Sequence, residues 1–199
     1  MICSNPLDGE RVAGTVGYPL PGVSARVVGK HAEELAPGEI GQLQITGPNV
    51  FRGYWRKPQK TLEDLTDDGY FVTGDLAMTA GDGRITIVGR DKDLIISGGF
   101  NVYPSEIEAR IMEVPGVADT AVFGLPHPDF GESVSAVIVP DTCDTVSEES
   151  VKAYLRSVLA DFKQPKLILF SDAIPRNAMG KIEKAALRER HKNSFIDAR

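Results

Sequence analysis

The pattern of the chain changes once, near Gly89-Arg90-Asp91-Lys92-Asp93, and this change limits what it can fold into. Before it, the sequence is rich in Gly and Pro and carries short stretches of period-two alternation. Residues 23–28 and 42–46 read as strands; in the second, Leu43 and Ile45 are expected on one face and Gln42, Gln44 and Thr46 on the other. Gly81-Asp82-Gly83 marks a turn, and residues 84–88 form the next strand. Residues 15–90 therefore read as a small β-rich unit.

After the change, strands and helices mix. Residues 94–97 form a short strand. Residues 104–112 read as a helix with Pro104 in its first turn, Glu106 and Glu108 near the positive end of its dipole, and Ile107 and Ile111 on one face. Pro115-Gly116 ends it. Residues 120–123 and 133–139 read as strands. Ser147 caps a second helix whose apolar stripe is Val151, Leu155, Val158 and Leu159. A strand at 167–170 and a helix at 182–190 complete an α+β domain from about residue 92 to 195. The stretch between the two patterns is charged and next to glycine, as a hinge would be.

Composition excludes several classes. The net charge of -6 argues against a broad nucleic-acid surface, which needs clustered Lys and Arg. Cys3 and Cys143 lie far apart and His31, His127 and His191 are scattered, so no zinc site is expected and both thiols are read as reduced. No apolar run approaches the roughly 20 residues of a membrane span. The N-terminal residues lack the basic and apolar regions of a signal peptide, so a cytoplasmic location is expected.

Three segments carry chemistry-bearing residues. Thr73-Gly74-Asp75 sets an acid after a glycine turn at a strand end; such an Asp can accept two hydrogen bonds from a ribose diol, or cap its own turn. Ser97-Gly98-Gly99-Phe100 gives a backbone that can approach a ligand closely, or a plain loop before a helix. It is not a dinucleotide fingerprint, because the third glycine and its strand–turn–helix setting are missing. Pro175-Arg176-Asn177-Ala178-Met179-Gly180-Lys181 is a framed loop ending in a lysine, which can stabilise phosphate or carboxylate charge or be an ordinary solvated lysine. His127 reads as a loop residue.

In this order and spacing, together with residues 47–55 and 162–166, these segments resemble the C-terminal motifs of the adenylate-forming superfamily: acyl-CoA synthetases, peptide-synthetase adenylation domains and luciferases. The resemblance runs from about Gly14 to Arg190. It implies an α+β fold: residues 1–91 as the β-rich, distorted barrel-like end of a large N-terminal domain, and residues 92–199 as a small mobile C-terminal domain. It implies that Asp75 binds the ATP ribose, that Arg90 contacts the nucleotide, and that Lys92 is the hinge. Lys181 would bridge carboxylate and α-phosphate during adenylation. Ser97, Gly98, Gly99 and Phe100 would line the pantetheine tunnel of CoA. The implied reaction has two steps: acid and ATP give acyl-AMP and pyrophosphate, then CoA displaces AMP. Residues 4–11, 14–17, 97–104 and 126–132 resemble the malonyl-CoA synthetase branch, which implies malonate or a similar short acid.

The superfamily's phosphate loop ending in Pro-Lys, and its Tyr-Gly-x-Thr-Glu segment whose Glu helps hold Mg2+, do not occur in these 199 residues. No metal ligand is therefore assigned, and residues 1–199 alone are expected not to adenylate an acid. An unpaired edge and an exposed apolar face on the β-rich unit would favour a homo-oligomer. Alternatives are an adenylation domain loading a carrier protein, a luciferase-like oxidase, and a non-catalytic CoA- or nucleotide-binding module.

Overall fold

A computed structural model describes residues 1–141 and 146–195. The chain divides into two units, Met1–Lys92 and Asp93–Arg199. Cys143, one of the two expected thiols, lies outside the described residues. Cys3 is a partly buried free thiol, and burial pushes it up from its ordinary range.

In the first unit, β1 (Cys3–Ser4) pairs antiparallel with β2 (Tyr18–Pro19). An antiparallel sheet follows in the order β3 (Ser24–Val28), β4 (Gly41–Thr46), β5 (Phe71–Thr79) and β6 (Ile85–Arg90). Val27, Leu43, Ile45, Ala77 and Ile85 bury one face of it. The other face of β4 is not the open polar surface that alternation suggests. Gln44 is buried because Arg26 lies across it: Arg26 Nε donates to Gln44 Oε1 at 2.9 Å, and its guanidinium meets Asp68 at 2.6 Å and the Tyr70 ring at 3.8 Å. The guanidinium holds the Asp68 carboxyl below the usual carboxylate range. Helix α1 (Pro58–Asp64) was not anticipated from the sequence; it has Pro in its first turn, no side-chain cap and no buried residue, so neither capping nor periodicity marks it.

The second unit has a mixed sheet between two helical layers. Its elements are β7 (Ile95–Ser97), β8 (Phe100–Val102), α2 (Pro104–Ile111), β9 (Val117–His127), β10 (Gly131–Pro140), α3 (Glu148–Val158), β11 (Leu167–Phe170) and α4 (Lys184–His191). The long antiparallel β9–β10 hairpin is its spine, and β11 joins β10 in parallel after the α3 crossover. Alternation along β10 divides the core. Val134, Ala136 and Ile138 face α2 and α3, packing with Ile107, Ile111, Val151 and Leu155. Val137 faces the opposite side with Ala121, Phe123, Leu125, Ile174 and Leu187 of α4. Burying each such Ile or Leu contributes about 1.5–3 kcal/mol. Both faces of the sheet are covered, which explains the near-continuous apolar runs in β9 and β10.

Several expected boundaries move. β9 is longer than residues 120–123 because its backbone pairing continues through Gly124 and Pro126 to His127. His127 is thus the last strand residue and not a loop residue; its ring lies 4.7 Å from Phe130 and 5.0 Å from Phe195. Ser147 caps α3 as expected, in a reciprocal box with Ser150. Val158 leaves the expected apolar stripe and is 40% exposed, since the helix ends there and Leu159 turns inward instead. The last helix starts at Lys184, because Ile182 is held in a β-bridge to Arg176. Among the described residues, no helix is long and apolar enough to cross a membrane.

Candidate functional site

Asp75 is not at a strand end; it sits inside β5, in a bulge. Gln42 and Gln44 of β4 pair with Leu76 and Val72, so Leu43 alone faces Thr73, Gly74 and Asp75. Gly74 takes φ +72°, a left-handed conformation that glycine adopts at little cost. Thr73 pins the bulge: its hydroxyl donates to Leu43 O at 2.9 Å and accepts from the Asp75 N–H at 3.1 Å. On the other edge Asp75 pairs in register with Arg90 of β6. Arg90 Nε lies 2.9 Å from Asp75 Oδ1, and Arg90 Nη1 donates to Thr73 O at 3.3 Å. The sheet therefore brings together two residues 15 positions apart in the chain, with Asp75 partly covered and Arg90 half exposed.

Lys92 lies in a single helical turn, Asp91–Asp93, that spans the division between the units. Its neighbour Asp93 is the first residue of the second unit, and Arg188 of α4 holds it at 2.5 Å.

Ser97-Gly98-Gly99-Phe100 is not a plain loop before a helix. It is a two-residue β-hairpin turn: Ser97 pairs with Phe100, and Gly98 and Gly99 take φ +57° and +83°. Positive φ at both central residues matches the right-handed twist of the flanking strands, which is why two glycines occur there. The Gly98 N–H donates to Phe130 O at 2.9 Å. The exposed Phe100 ring stacks on Phe162 with centroids 4.7 Å apart, and Lys166 places its ammonium 3.6 Å from the Phe130 ring.

Lys181 closes a wired loop. Arg176 and Ile182 form a bridge across it, and the Asn177 side chain accepts from the N–H groups of Met179 and Lys181, each at 3.0 Å. Arg176 donates to Gly180 O at 2.8 Å and reaches Asp119 at 2.6 Å, clasping the loop to the start of β9. The Lys181 side chain is exposed, and among the described residues its ammonium has no ion-pair partner.

The two loops of the second unit thus attach to opposite ends of one hairpin. The Lys181 loop meets Asp119, paired with Val139; the glycine turn meets Gly131, paired with His127. Eight strand residues separate the two levels, about 27 Å at roughly 3.4 Å per residue. Arg176 and Thr73 were not singled out individually from the sequence, although both lie in the segments that were. Among the described residues, no group of three or more His, Cys, Asp or Glu side chains is placed to ligate a cation. An open cavity of about 550 Å³ in the first unit is lined by Arg52, Tyr54, Trp55, Arg56 and Leu62; none of the residues above contributes to it.

Residues 106–181 match the AMP-binding enzyme C-terminal domain, and residues 1–55 match the AMP-binding enzyme family. The chain belongs to the AMP-binding enzymes. Among solved structures it resembles ATP-bound MatB from Rhodopseudomonas palustris, with 52% identity, TM-score 0.94, and coverage of 98% of this chain and 39% of that one. Among curated relatives it is 42% identical to a feruloyl-CoA synthase of Amycolatopsis, over 92% of this chain and 38% of that protein. It is 38% identical to the malonate–CoA ligase of Arabidopsis thaliana, over 97% of this chain and 33% of that protein. The chain therefore spans between a third and two fifths of the length of these relatives.

Proposed function

We propose that this chain supplies the C-terminal part of an ATP-dependent acid–CoA ligase acting on malonate or a similar short acid. In this reading residues 1–91 end the large nucleotide-binding domain and residues 92–199 form a small domain that turns about Lys92. In the first step a carboxylate oxygen of the acid attacks the α-phosphorus of ATP, the bond to the bridging oxygen breaks, and pyrophosphate leaves. Lys181 sets its ammonium between the two anions, where it lowers the energy of the developing charge; a single such group is worth about 10²- to 10³-fold in rate. Asp75 receives the ribose hydroxyls, and Arg90, already paired with Asp75, faces the nucleotide from β6. In the second step the CoA sulfur attacks the acyl carbonyl and AMP departs. The Gly98–Gly99 turn lets the pantetheine arm pass close to the backbone, since no Cβ stands in its way.

The observation that supports this reading best is the separation of the two loops along the β9–β10 hairpin. A rigid unit carrying them about 27 Å apart can offer one or the other to a single acyl centre, but not both. Rotation about a hinge resolves this, and such domain motion is a known class of switch. The preference for malonate rests on the similarity to MatB and to the plant malonate–CoA ligase.

The test joins this chain to the N-terminal portion of Rhodopseudomonas palustris MatB, in place of that protein's own C-terminal portion. Acyl-adenylate and acyl-CoA are then measured with ATP, CoA and either malonate, acetate or methylmalonate. The proposal expects both products, with malonate the fastest acid; a folded hybrid that makes neither would refute it.

A further inference from the structure

Ile96 lies two residues before the Gly98–Gly99 turn. It pairs with Asn101 of β8, while Ser97 pairs with Phe100 next to the turn. In an antiparallel hairpin the pairs alternate between hydrogen-bonded and open, so the Ile96 N–H points away from β8 and toward β10. There β10 offers no strand carbonyl, because the β7–β10 pairing is limited to Ser97 with Gly131. The Glu132 carboxylate fills the gap: Oε2 accepts the Ile96 N–H at 2.9 Å. Two residues earlier in the chain, Phe130 O accepts the Gly98 N–H. The turn is thus tied to the β9–β10 hairpin on both sides of Ser97.

The carboxylate has room only because residue 124 is glycine. Glu132 shares a face of β10 with Val134, which pairs with Gly124. A Cβ on Gly124 would come within 2.8 Å of Glu132 Oε1 and 3.2 Å of Ile95 Cγ2. Among the described residues no Lys, Arg or His forms an ion pair with Glu132. Its charge is met by a backbone N–H instead, and hydrogen bonds to a charged group are stronger than neutral ones.

We propose that Glu132, seated over Gly124, is a positioning residue that fixes the Gly98–Gly99 turn for the thioester-forming step and has no part in adenylate formation. The second half of this statement rests on the ligase reading above. The first half depends only on geometry.

The test uses Glu132→Ala, Glu132→Gln and Gly124→Ala. In the 199-residue chain, amide exchange at Ile96 and Gly98 is followed by NMR. Glu132→Ala, and Gly124→Ala through displacement of the carboxylate, are expected to speed exchange at both amides by about 10-fold or more, the scale of one charge-assisted bond. Glu132→Gln keeps an acceptor oxygen but loses the charge, and is expected to fall between wild type and Glu132→Ala. In the MatB hybrid, Glu132→Ala is expected to lower kcat for thioester formation from supplied acyl-adenylate by about 10-fold, with adenylate formation within about twofold of wild type. Unchanged exchange in Glu132→Ala, or equal loss in both half-reactions, would overturn the proposal. A wild-type hybrid that makes neither product refutes the ligase reading, and the exchange result then decides the anchoring role by itself.

Discussion

Arg188 and Asp93, 95 positions apart in the chain, meet at 2.5 Å. The contact ties α4 to the first residue after Lys92. Because α4 begins three residues after Lys181, one short helix connects the exit of the lysine loop to the start of the second unit. Both side chains are partly covered, at 28% and 17% exposure, so the pair is worth more than a surface ion pair. Replacing Arg188 by Ala is expected to destabilise the second unit by about 1–2 kcal/mol, mostly because Asp93 loses its partner. Urea unfolding with amide exchange read separately in the two units checks this; the first unit should not change.

Gly74 is the conformational pivot of the Asp75 bulge. A Cβ there would have space, its nearest neighbour being Arg90 Nη1 at 3.9 Å, so the cost of a side chain is in the backbone alone. At φ +72° an L-residue costs roughly 1–2 kcal/mol. Gly74→Ala is expected to lower the stability of the first unit by about that amount, measured by urea denaturation. In the hybrid ligase it should also weaken ATP, by moving Asp75 relative to Arg90.

Much of the fold was legible because its signals are local. Ser147 caps α3, Ile107 and Ile111 mark the buried face of α2, and Gly81-Asp82-Gly83 turns into β6. What the sequence hid depends on contacts between distant residues. Gln44 is buried by Arg26 from the neighbouring strand, which no alternation pattern reveals. β9 runs through Gly124 and Pro126 because β10 pairs with it, although local propensity would stop the strand at Phe123. At the candidate site, the segments holding Asp75, the glycine turn and Lys181 stood out by residue type. The bulge around Asp75, its pairing with Arg90 and the clasp of Arg176 on Asp119 did not, since each needs a partner from another strand.

His191 gives the second unit a pH dependence of its own. It is partly buried at the end of α4, its ring 6.3 Å from that of Phe123, and desolvation lowers its pKa from the ordinary value of 6.5. The folded state therefore prefers the neutral ring, while the unfolded state takes up a proton more readily. The stability this adds is complete above about 6.5 and is lost as pH falls below it toward the lower folded value. Asp64, Asp68 and Glu113 are also held below their ordinary values, by Lys60, Arg26 and Tyr154 respectively, but their contributions are lost only in the more acidic carboxylate range. Between pH 7 and 5.5 the second unit is expected to soften slightly, and His191→Gln should flatten that slope in thermal melts.

The most direct measurement compares Lys181→Ala with wild type in the MatB hybrid, with the two half-reactions assayed apart. Adenylate formation from malonate and ATP should fall by about 10²- to 10³-fold. Thioester formation from supplied malonyl-adenylate and CoA should stay within about twofold, because the Lys181 loop and the glycine turn attach to opposite ends of the hairpin. Equal loss of both steps, or undiminished adenylation, would contradict the division of labour between the two loops.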